Sequence, residues 1–399
     1  MTRLGDVCAI RYGKDHKKLS DGSIPTYGSG GIMRYVDTAI CEQPSVLIPR
    51  KGTLGNLFYT DEPFWTVDTL FWTDIDQTKI VPKYLYYQLK QKDLASYNVG
   101  TAVPSLTVEV LNEIDLDVPS IDKQRRIVEV LNSFDSKIAL NNQLNDYLEQ
   151  LVDGKFQELF GGLNFNATLS DVAEITMGQS PAGSSYNEEG AGIIFYQGRG
   201  EFGWRFPKRR LYTTEPKRLA CEGDVLMSVR APVGDLNVAF ENCCIGRGLA
   251  AIHSETPSFA LYLMRFLKPQ LEAYNGEGTV FGSINGKALK SLEVALPSHN
   301  EVMQFESFAA PIDALIRSNE NETRKLNNLR NYLLPKLMSG EIDVSKVDLT
   351  QLTNNHLAGR MHWSTVIRVR AIHAVHSRQS QIPAYESVPR VLHSHATPP

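Results

Sequence analysis

Apolar residues recur along this chain with two different periods, and segments of the two kinds alternate. Short runs of β-branched and aromatic residues bounded by Gly, Pro, Asn and Asp predict strands in two parts of the chain. These strands cover 45–48, 56–59 and 71–72, then 192–196, 224–227 and 236–240. Two longer stretches, 121–160 and 301–337, repeat apolar positions every three or four residues, which predicts long helices packed along a seam. Shorter helices at 82–94 and 258–271 make each strand-rich part α+β.

The second half of the chain repeats the first. The run Tyr84-Leu85-Tyr86-Tyr87-Gln88-Leu89 matches Tyr262-Leu263-Met264-Arg265-Phe266-Leu267, 178 positions later, and Pro119-Ser120 matches Pro297-Ser298 at the same distance. A repeat of this length is a duplicated domain with its helix, far longer than a solenoid unit. Two similar modules in one chain predict two similar ligands, or one ligand with two halves.

The two long helices are predicted to pack antiparallel. Forty helical residues span about 60 Å, and both stretches carry an apolar stripe. The stripe residues are Ile127, Leu131, Phe134, Ile138, Leu144, Leu148 and Leu151, and then Phe305, Ala309, Ile312, Ile316, Leu326 and Leu329. Asn141 and Asn319 occupy matching places, where they either pair in the seam and fix its register or lie exposed at a bend. Pro311 predicts a kink or a late start of the second helix.

The charge balance allows a polyanion site only as a local cluster, because the net charge is −4 and neither globular part is basic. One such cluster is evident. It contains Arg199, Arg205, Lys208, Arg209, Arg210, Lys217 and Arg218, interleaved with Tyr196, Phe202, Trp204, Phe206 and Tyr212. The alternation favours a strand or hairpin that presents cations to phosphates and base edges. The alternative interpretation is a solvated basic hairpin.

Composition and motifs argue against other classes of protein. The 399 residues, with 42% hydrophobic and 22% charged, are typical of a soluble two-domain protein. Without a long apolar run or a signal-peptide pattern, we expect a cytoplasmic location and no membrane contact. The 5 cysteines lack CxxC spacing, so we expect buried free thiols and neither disulfides nor a metal site. Neither a P-loop nor a methylase tetrapeptide occurs, and the glycine pattern at Gly198–Gly203 is followed by Pro207, which argues against a dinucleotide site.

These features together resemble the specificity subunit of type I restriction-modification systems. The resemblance rests on two variable modules, each followed by a long helix that opens with Pro-Ser, and on the run Leu333-Leu334-Pro335-Lys336-Leu337-Met338-Ser339-Gly340-Glu341-Ile342. It implies an α+β fold in which two globular target recognition domains are separated by two long antiparallel coiled-coil helices, with an internal pseudo-twofold repeat. The implied boundaries are 1–120 for the first recognition domain, 121–162 for the central spacer helix, 163–298 for the second recognition domain, 299–345 for the C-terminal spacer helix and 346–399 for a tail, disordered or outside the family.

The resemblance also implies a function. We expect a non-catalytic subunit that binds double-stranded DNA at a bipartite, asymmetric site, one half for each recognition domain. The helices would dock two methyltransferase (M) subunits, with restriction (R) subunits added outside. The assembled complex would use S-adenosylmethionine, ATP and Mg, whereas this chain is expected to hold no cofactor. Two alternatives stay open: a coiled-coil scaffold without DNA readout, and a self-sufficient methylase or nuclease.

Candidate DNA contacts follow from segments that match between the two copies. Residues 49–56 and 229–235 resemble the family's basic, Gly-containing hairpin after a buried strand, and residues 100–106 and 278–284 resemble the loop before the last helix of the recognition domain. Hydroxyl groups in that loop are candidate phosphate ligands, with helix capping as the alternative. The predicted DNA-binding residues are Arg50, Lys51, Thr101, Ser105, Arg199, Arg205, Lys208, Arg209, Arg210, Arg230, Thr279 and Ser283.

Overall fold

The computed structural model describes residues 2–100, 103–276 and 282–347. Their packing divides these residues into two compact units, the first formed by the described residues up to 135 with 329–347 and the second by those from 136 to 328. Each unit contains one globular head and segments of two 40-residue helices. Among the predicted sites, Thr101 and Thr279 lie outside the described residues, as does the tail from 348 onward.

The head of the first unit is built on a four-stranded antiparallel sheet. Its strands are β1 (Thr2–Arg3), β2 (Cys8–Tyr12), β3 (Asp21–Gly28), β4 (Gly31–Val36), β5 (Ser45–Pro49), β6 (Phe58–Thr60), β7 (Trp65–Thr66), β8 (Leu70–Ile75) and β9 (Asp115–Leu116), and its helices are α1 (Leu4–Val7), α2 (Pro82–Lys90) and α3 (Val108–Asn112). The main sheet has the order β2-β8-β5-β6, and a smaller sheet has the order β4-β3-β7. The short strands β1 and β9 pair with each other.

The head of the second unit follows the long helix α4 (Ile121–Phe160). Its strands are β10 (Ala167–Thr168), β11 (Glu174–Met177), β12 (Tyr186–Asn187), β13 (Ile193–Tyr196), β14 (Leu211–Thr213), β15 (Leu219–Ala220), β16 (Val225–Ser228), β17 (Leu236–Val238), β18 (Cys243–Ile245), β19 (Leu249–His253) and β20 (Glu293–Val294), and its helices are α5 (Leu169–Val172), α6 (Pro257–Phe266), α7 (Lys268–Glu272) and α8 (Gly286–Lys290). The four-stranded sheet has the order β11-β19-β16-β17, and the five-stranded sheet has the order β12-β14-β13-β18-β15. The second long helix, α9 (His299–Met338), follows.

The two heads share one topology, which confirms the predicted duplication at the level of the fold. The order β2-β8-β5-β6 corresponds to β11-β19-β16-β17, and β4-β3-β7 corresponds to the inner strands β14-β13-β18. In the first head β3 pairs parallel with β7, and in the second head the equivalent strands β13 and β18 also pair parallel. The larger second sheet arises from two added edge strands, β12 and β15.

Strand β16 shows how sequence alternation builds the core of the second head. Val225 and Met227 pack with the buried residues of α6, whereas Leu226 between them packs with Tyr196 on the five-stranded sheet. Successive side chains of a strand point to opposite faces. A central strand covered on both faces is therefore apolar at every position, as the continuous run in the sequence indicates.

The long helices pack antiparallel within each unit. In the first unit, Arg330 of α9 donates to Asp135 of α4 at 2.6 Å. In the second unit, Asn141 donates to Glu322 at 2.9 Å and Asn319 donates to Asn145 at 2.8 Å. Asn141 also donates to the Asn319 carbonyl at 3.5 Å. The two asparagines therefore pair in the seam, as the first interpretation has it, and the alternative of an exposed bend is wrong. The Asn319 side chain faces Asn145 rather than the side chain of Asn141.

Two further details of the helices differ from the sequence prediction. Helix α9 begins at His299, well before Pro311, so the predicted late start is wrong. Leu144 and Leu151 belong to the predicted stripe yet are 39% and 54% exposed. Buried Asn145 and Val152 occupy the seam in this region, since an unbroken helix of 3.6 residues per turn rotates a heptad-spaced stripe away from its partner. No described helix is long and apolar enough to cross a membrane.

Candidate nucleic-acid interface

Two loops predicted to bind DNA are joined directly in the first unit. Lys51, which follows β5, forms an isolated antiparallel bridge with Ser105. The bridge is fixed by hydrogen bonds from the Gly52 N–H to the Pro104 carbonyl, at 3.1 Å, and from the Leu106 N–H to the Arg50 carbonyl, at 2.9 Å. The Lys51 side chain is exposed. Backbone pairing thus holds a cation and a hydroxyl residue side by side at the surface of the head.

We call this backbone bridge between a basic residue and a serine the joint. The second unit repeats it. Arg230, which follows β16, forms an antiparallel bridge with Ser283. The Ala231 N–H donates to the Gly282 carbonyl at 3.0 Å, and the Ile284 N–H donates to the Val229 carbonyl at 3.1 Å. Arg230 is exposed. Lys51 and Arg230 therefore occupy equivalent places in the two heads.

Helix capping does not account for the two serines. The residue that caps α3 is Thr107, which accepts a hydrogen bond from the Val110 N–H, and the residue that caps α8 is Asn285, which accepts from the Ala288 N–H. Ser105 and Ser283 lie just before these caps. The capping alternative is therefore wrong for these two positions.

Arg50 is held differently from its neighbour Lys51. Its guanidinium lies 5.3 Å from the centre of the Tyr12 ring and donates to the Asp68 carbonyl at 3.2 Å. The side chain is half-buried. A guanidinium stacked on an aromatic ring has a fixed direction, so Arg50 presents an oriented charge where Lys51 presents a mobile one.

The basic segment of the second head does not form the predicted strand. Residues 202–210 run in irregular conformation between a single 3₁₀ turn, Arg199–Glu201, and β14. Tyr196 and Phe206 are buried, so these aromatic residues serve the core. The prediction of a cationic hairpin with alternating aromatic residues is wrong here. No helix begins directly after Gly203 either.

The exposed arginines of this segment are paired with carboxylates. Arg199 contacts Asp235 at 2.8 Å, Arg209 contacts Glu241 at 2.5 Å and Arg210 contacts Glu201 at 2.6 Å. Lys208 is exposed and its ammonium has no partner among the described residues. Exposed ion pairs are worth at most about 1 kcal/mol, so Arg199 and Arg209 can exchange a carboxylate for a phosphate at little cost. Arg210 is held more firmly, because its partner Glu201 is buried and would be left as an unpaired charge.

Arg205 does not belong to the exposed cluster. Its side chain is 4% exposed and contacts Glu149 of α4 at 3.1 Å and Asp313 of α9 at 3.0 Å. Burial disfavours its charge, but Tyr262 and the two carboxylates outweigh this, so the pKa of Arg205 is raised. A buried, paired guanidinium is not accessible to DNA, and we withdraw Arg205 from the predicted contacts. It instead fastens the second head to both long helices.

Other exposed cations escaped the sequence prediction. Lys14, Lys17 and Lys18 are exposed on the loop after β2, and the Lys14 N–H donates to the Thr66 carbonyl at 2.8 Å. The basic run at 14–18 was visible in the sequence. In the second head, exposed Arg247 stands where the first head has Asp68, beside Arg50. A single arginine of this kind carries no sequence signal.

Comparison with known proteins identifies the family. The type I restriction modification DNA specificity domain matches residues 1–150 and again 166–331. A putative type I restriction enzyme MjaX specificity subunit from Methanocaldococcus jannaschii is 34% identical over 298 residues, which cover 67% of this chain and 70% of that protein. The type I restriction enzyme MjaIX specificity subunit from the same organism is 23% identical over 348 residues, covering 76% and 78%.

A solved structure shows the same fold. The S subunit of a type I restriction-modification system from M. genitalium superposes with a TM-score of 0.58 at 16% identity, covering 84% of this chain and 95% of that one. The family predicted from the duplicated modules and their helices is confirmed. The chain belongs to the type I restriction-modification specificity subunits, which are the non-catalytic recognition components of these systems.

Proposed function

We propose that each head of this specificity subunit reads one half of a bipartite, asymmetric DNA site. The observation that carries the proposal is the joint that occurs in both heads, where an exposed cation after a buried strand is bridged to a serine: Lys51 to Ser105 and Arg230 to Ser283. Cations and hydroxyl groups fixed by backbone pairing are suited to hold phosphates and so to set the register of a head on the duplex.

Bases would be read by residues that differ between the heads. In the second head these are Arg199, Lys208, Arg209 and Arg210, which are exposed and have no counterpart at matching positions of the shorter first head. In the first head Arg50 is the candidate, because its guanidinium is oriented by Tyr12. Arginine gives the commonest specific contact to guanine in the major groove. Base-contacting residues that differ between two heads of the same fold would give an asymmetric site.

We further propose that the long helices dock two methyltransferase subunits, to which restriction subunits are added. Support comes from the outward apolar stripe of α4, formed by Leu140, Leu144, Tyr147 and Leu151, all of which are at least 39% exposed. Apolar side chains at helical spacing on a surface are typical of a helix that binds a partner. S-adenosylmethionine, ATP and Mg would then be used by the partner subunits. The complex would work in the cytoplasm, where the DNA lies.

Titration of DNA at several salt concentrations tests the role of the joint. We expect Lys51→Ala and Arg230→Ala each to weaken binding to all sequences alike and to lower the salt slope by about one, because each removes one phosphate contact. Arg209→Ala should instead relax a base preference, with about 1 to 3 kcal/mol of discrimination lost at one position.

The matched controls are Arg125→Ala and Lys325→Ala, which remove exposed cations from the long helices and should leave both quantities unchanged. A binding panel of single-base variants separates the two kinds of contact. If Lys51→Ala and Arg230→Ala change neither affinity nor salt slope, the joint is not the phosphate seat. If the chain with its methyltransferase partner modifies a continuous rather than a split site, the two-head proposal fails as well.

A further inference from the structure

Three side chains with metal-binding chemistry converge at one corner of the second head. Cys221 lies in the turn after β15, Asp224 immediately precedes β16, and His253 ends β19. One potential ligand atom from each lies within 4.8 Å of the other two. The group is outside the joint and the basic segment described above.

The sheet register fixes this convergence. Strands β16 and β19 pair so that Val225 faces Ile252, which brings Asp224 and His253 to the next step of the ladder. The His253 Nδ1 and Asp224 Oδ1 atoms are 2.6 Å apart. Gly223, with a φ of 92°, allows the tight turn in which the Cys221 N–H donates to Asp224 Oδ2 at 2.7 Å. Two of the three donors are therefore positioned by backbone pairing before any ion arrives.

We propose that Cys221, Asp224 and His253 bind one divalent cation of the zinc class. Zinc takes thiolate, imidazole and carboxylate ligands at about 2.0 to 2.3 Å in a tetrahedron, so its ligand atoms lie roughly 3.6 Å apart. The exposed Cys221 and the half-exposed His253 can close the remaining distance by side-chain rotation, while buried Asp224 stays fixed. Asp224 binds the ion through its carboxylate, and its contact with His253 holds the imidazole beside the same position.

The fourth position faces solvent, because both Cys221 and His253 are exposed. A bound ion would join two layers of the head. Cys221 follows β15 of the five-stranded sheet, whereas Asp224 and His253 belong to the strands of the four-stranded sheet. A bound ion would therefore link the two sheets. The open position would let solvent or another ligand reach the ion.

The first head lacks this chemistry at the equivalent positions. The bridge of Cys41 with Phe64 corresponds to the pair Ala220 and Cys243, which places Glu42 where the second head has Cys221. By the same correspondence Ser45 replaces Asp224 and Asp74 replaces His253. The first head thus has neither a thiol nor an imidazole there. We expect one ion for each chain rather than two.

Titration of the reduced full-length chain with Co²⁺ tests the site, because a cobalt–thiolate bond gives a charge-transfer absorption that histidine and carboxylate ligands do not give. We expect this absorption to saturate at one equivalent per chain and to disappear when Zn²⁺ is added in competition. Cys221→Ser should abolish it. His253→Gln should weaken the apparent affinity at least tenfold, since the loss of a residue that only orients a metal ligand already costs about tenfold or more.

Cys41→Ser is the matched control, since it removes a partly exposed thiol from the first head, and it should leave the titration unchanged. Any Co²⁺ that the histidines beyond residue 355 take up gives no thiolate absorption, so it does not add to this signal. The proposal is overturned if the unaltered chain gives no charge transfer, if the absorption survives in Cys221→Ser, or if His253→Gln binds Co²⁺ as well as the unaltered chain.

Discussion

Arginine takes opposite roles within one short segment of this protein. Arg209 is exposed and pairs with a surface carboxylate, whereas Arg205, four residues earlier, is buried between two helices and the head. Arg205 contacts Glu149, Asp313 and the Tyr262 hydroxyl, the last at 3.1 Å. A guanidinium has several donors in a fixed fork, so one side chain can join three elements. The residue that a charge count assigns to DNA instead anchors the fold.

We therefore predict that Arg205→Met lowers the free energy of unfolding of the second unit by about 3 kcal/mol, the lower end of the range for a broken buried ion pair. The lower end applies because Glu149 keeps its 2.8 Å contact with Arg265. Amide hydrogen exchange of β16 and β19 reports on this unit alone. The control Arg209→Met removes an exposed pair and should change the stability by no more than about 0.5 kcal/mol. Equal effects of the two substitutions would contradict the anchoring role.

At the scale of elements, the start of α9 is fixed by a capping box. The Ser298 N–H donates to Glu301 Oε2 at 2.9 Å, the Ser298 hydroxyl donates to the same oxygen at 2.7 Å, and the Glu301 N–H donates back to the hydroxyl at 3.4 Å. The Pro-Ser opening seen in the sequence thus has a structural purpose in the second copy. It fixes the start of the helix at His299, ahead of Pro311, which lies in the helix interior and cannot donate a backbone hydrogen bond there.

These hydrogen bonds make the first turn of α9 sensitive to pH. The Ser298 hydroxyl and then its N–H lower the pKa of Glu301 below its ordinary value. Because the folded pKa is lower than the unfolded one, the stabilisation is present above the unfolded pKa and is lost as pH falls through the folded pKa. Exchange protection of the amides at 302–305, corrected for intrinsic rates, should fall in acid. Glu301→Gln should show little such pH dependence, and an identical pH profile would count against the box.

The outward stripe of α4 gives a prediction about assembly. Leu144→Glu and Leu151→Glu should leave the thermal stability nearly unchanged, because both side chains are exposed. Each should weaken binding of the methyltransferase subunit by about 2 kcal/mol, roughly 30-fold, as expected for a central interface residue. Gln150→Glu adds the same charge at an exposed polar position and serves as the control. Undiminished co-purification with both leucine variants would remove the stripe from the docking surface.

At the scale of the whole molecule, the two copies share the fold of their main sheet and differ in edge strands and in loops. Both heads keep the strand order of the main sheet and the bridge between basic loop and serine. Both also fasten to a long helix through matching carboxylates: Tyr87 donates to Asp135 at 2.5 Å and Tyr262 donates to Asp313 at 3.1 Å. The added edge strands and the basic segment occur in the second head only. A shared fold with different surfaces supports the proposal that the two heads read unlike half-sites.

The sequence by itself determined the features that depend on local period and on repetition. The long helix predicted at 121–160 is α4, with the same bounds, and the buried runs became central strands, because a run of apolar residues can be satisfied only by burial. Because the second half of the sequence repeats the first, the sequence also predicted two heads of one fold. Residues 50–52 and 104–106 were predicted only as separate candidate DNA-binding loops, and their pairing was found in the structure.

Only the tertiary structure decided which residues of one chemical type face solvent. Nothing local distinguishes Arg205 from Arg209, or Leu151 from Val152, since their roles depend on packing partners distant in sequence. The group of Cys221, Asp224 and His253 has the same origin: the expectation of buried thiols fails for Cys221, and its histidine neighbour lies on another strand. Strand register brings such residues together over long sequence distances, and no spacing rule records that juxtaposition.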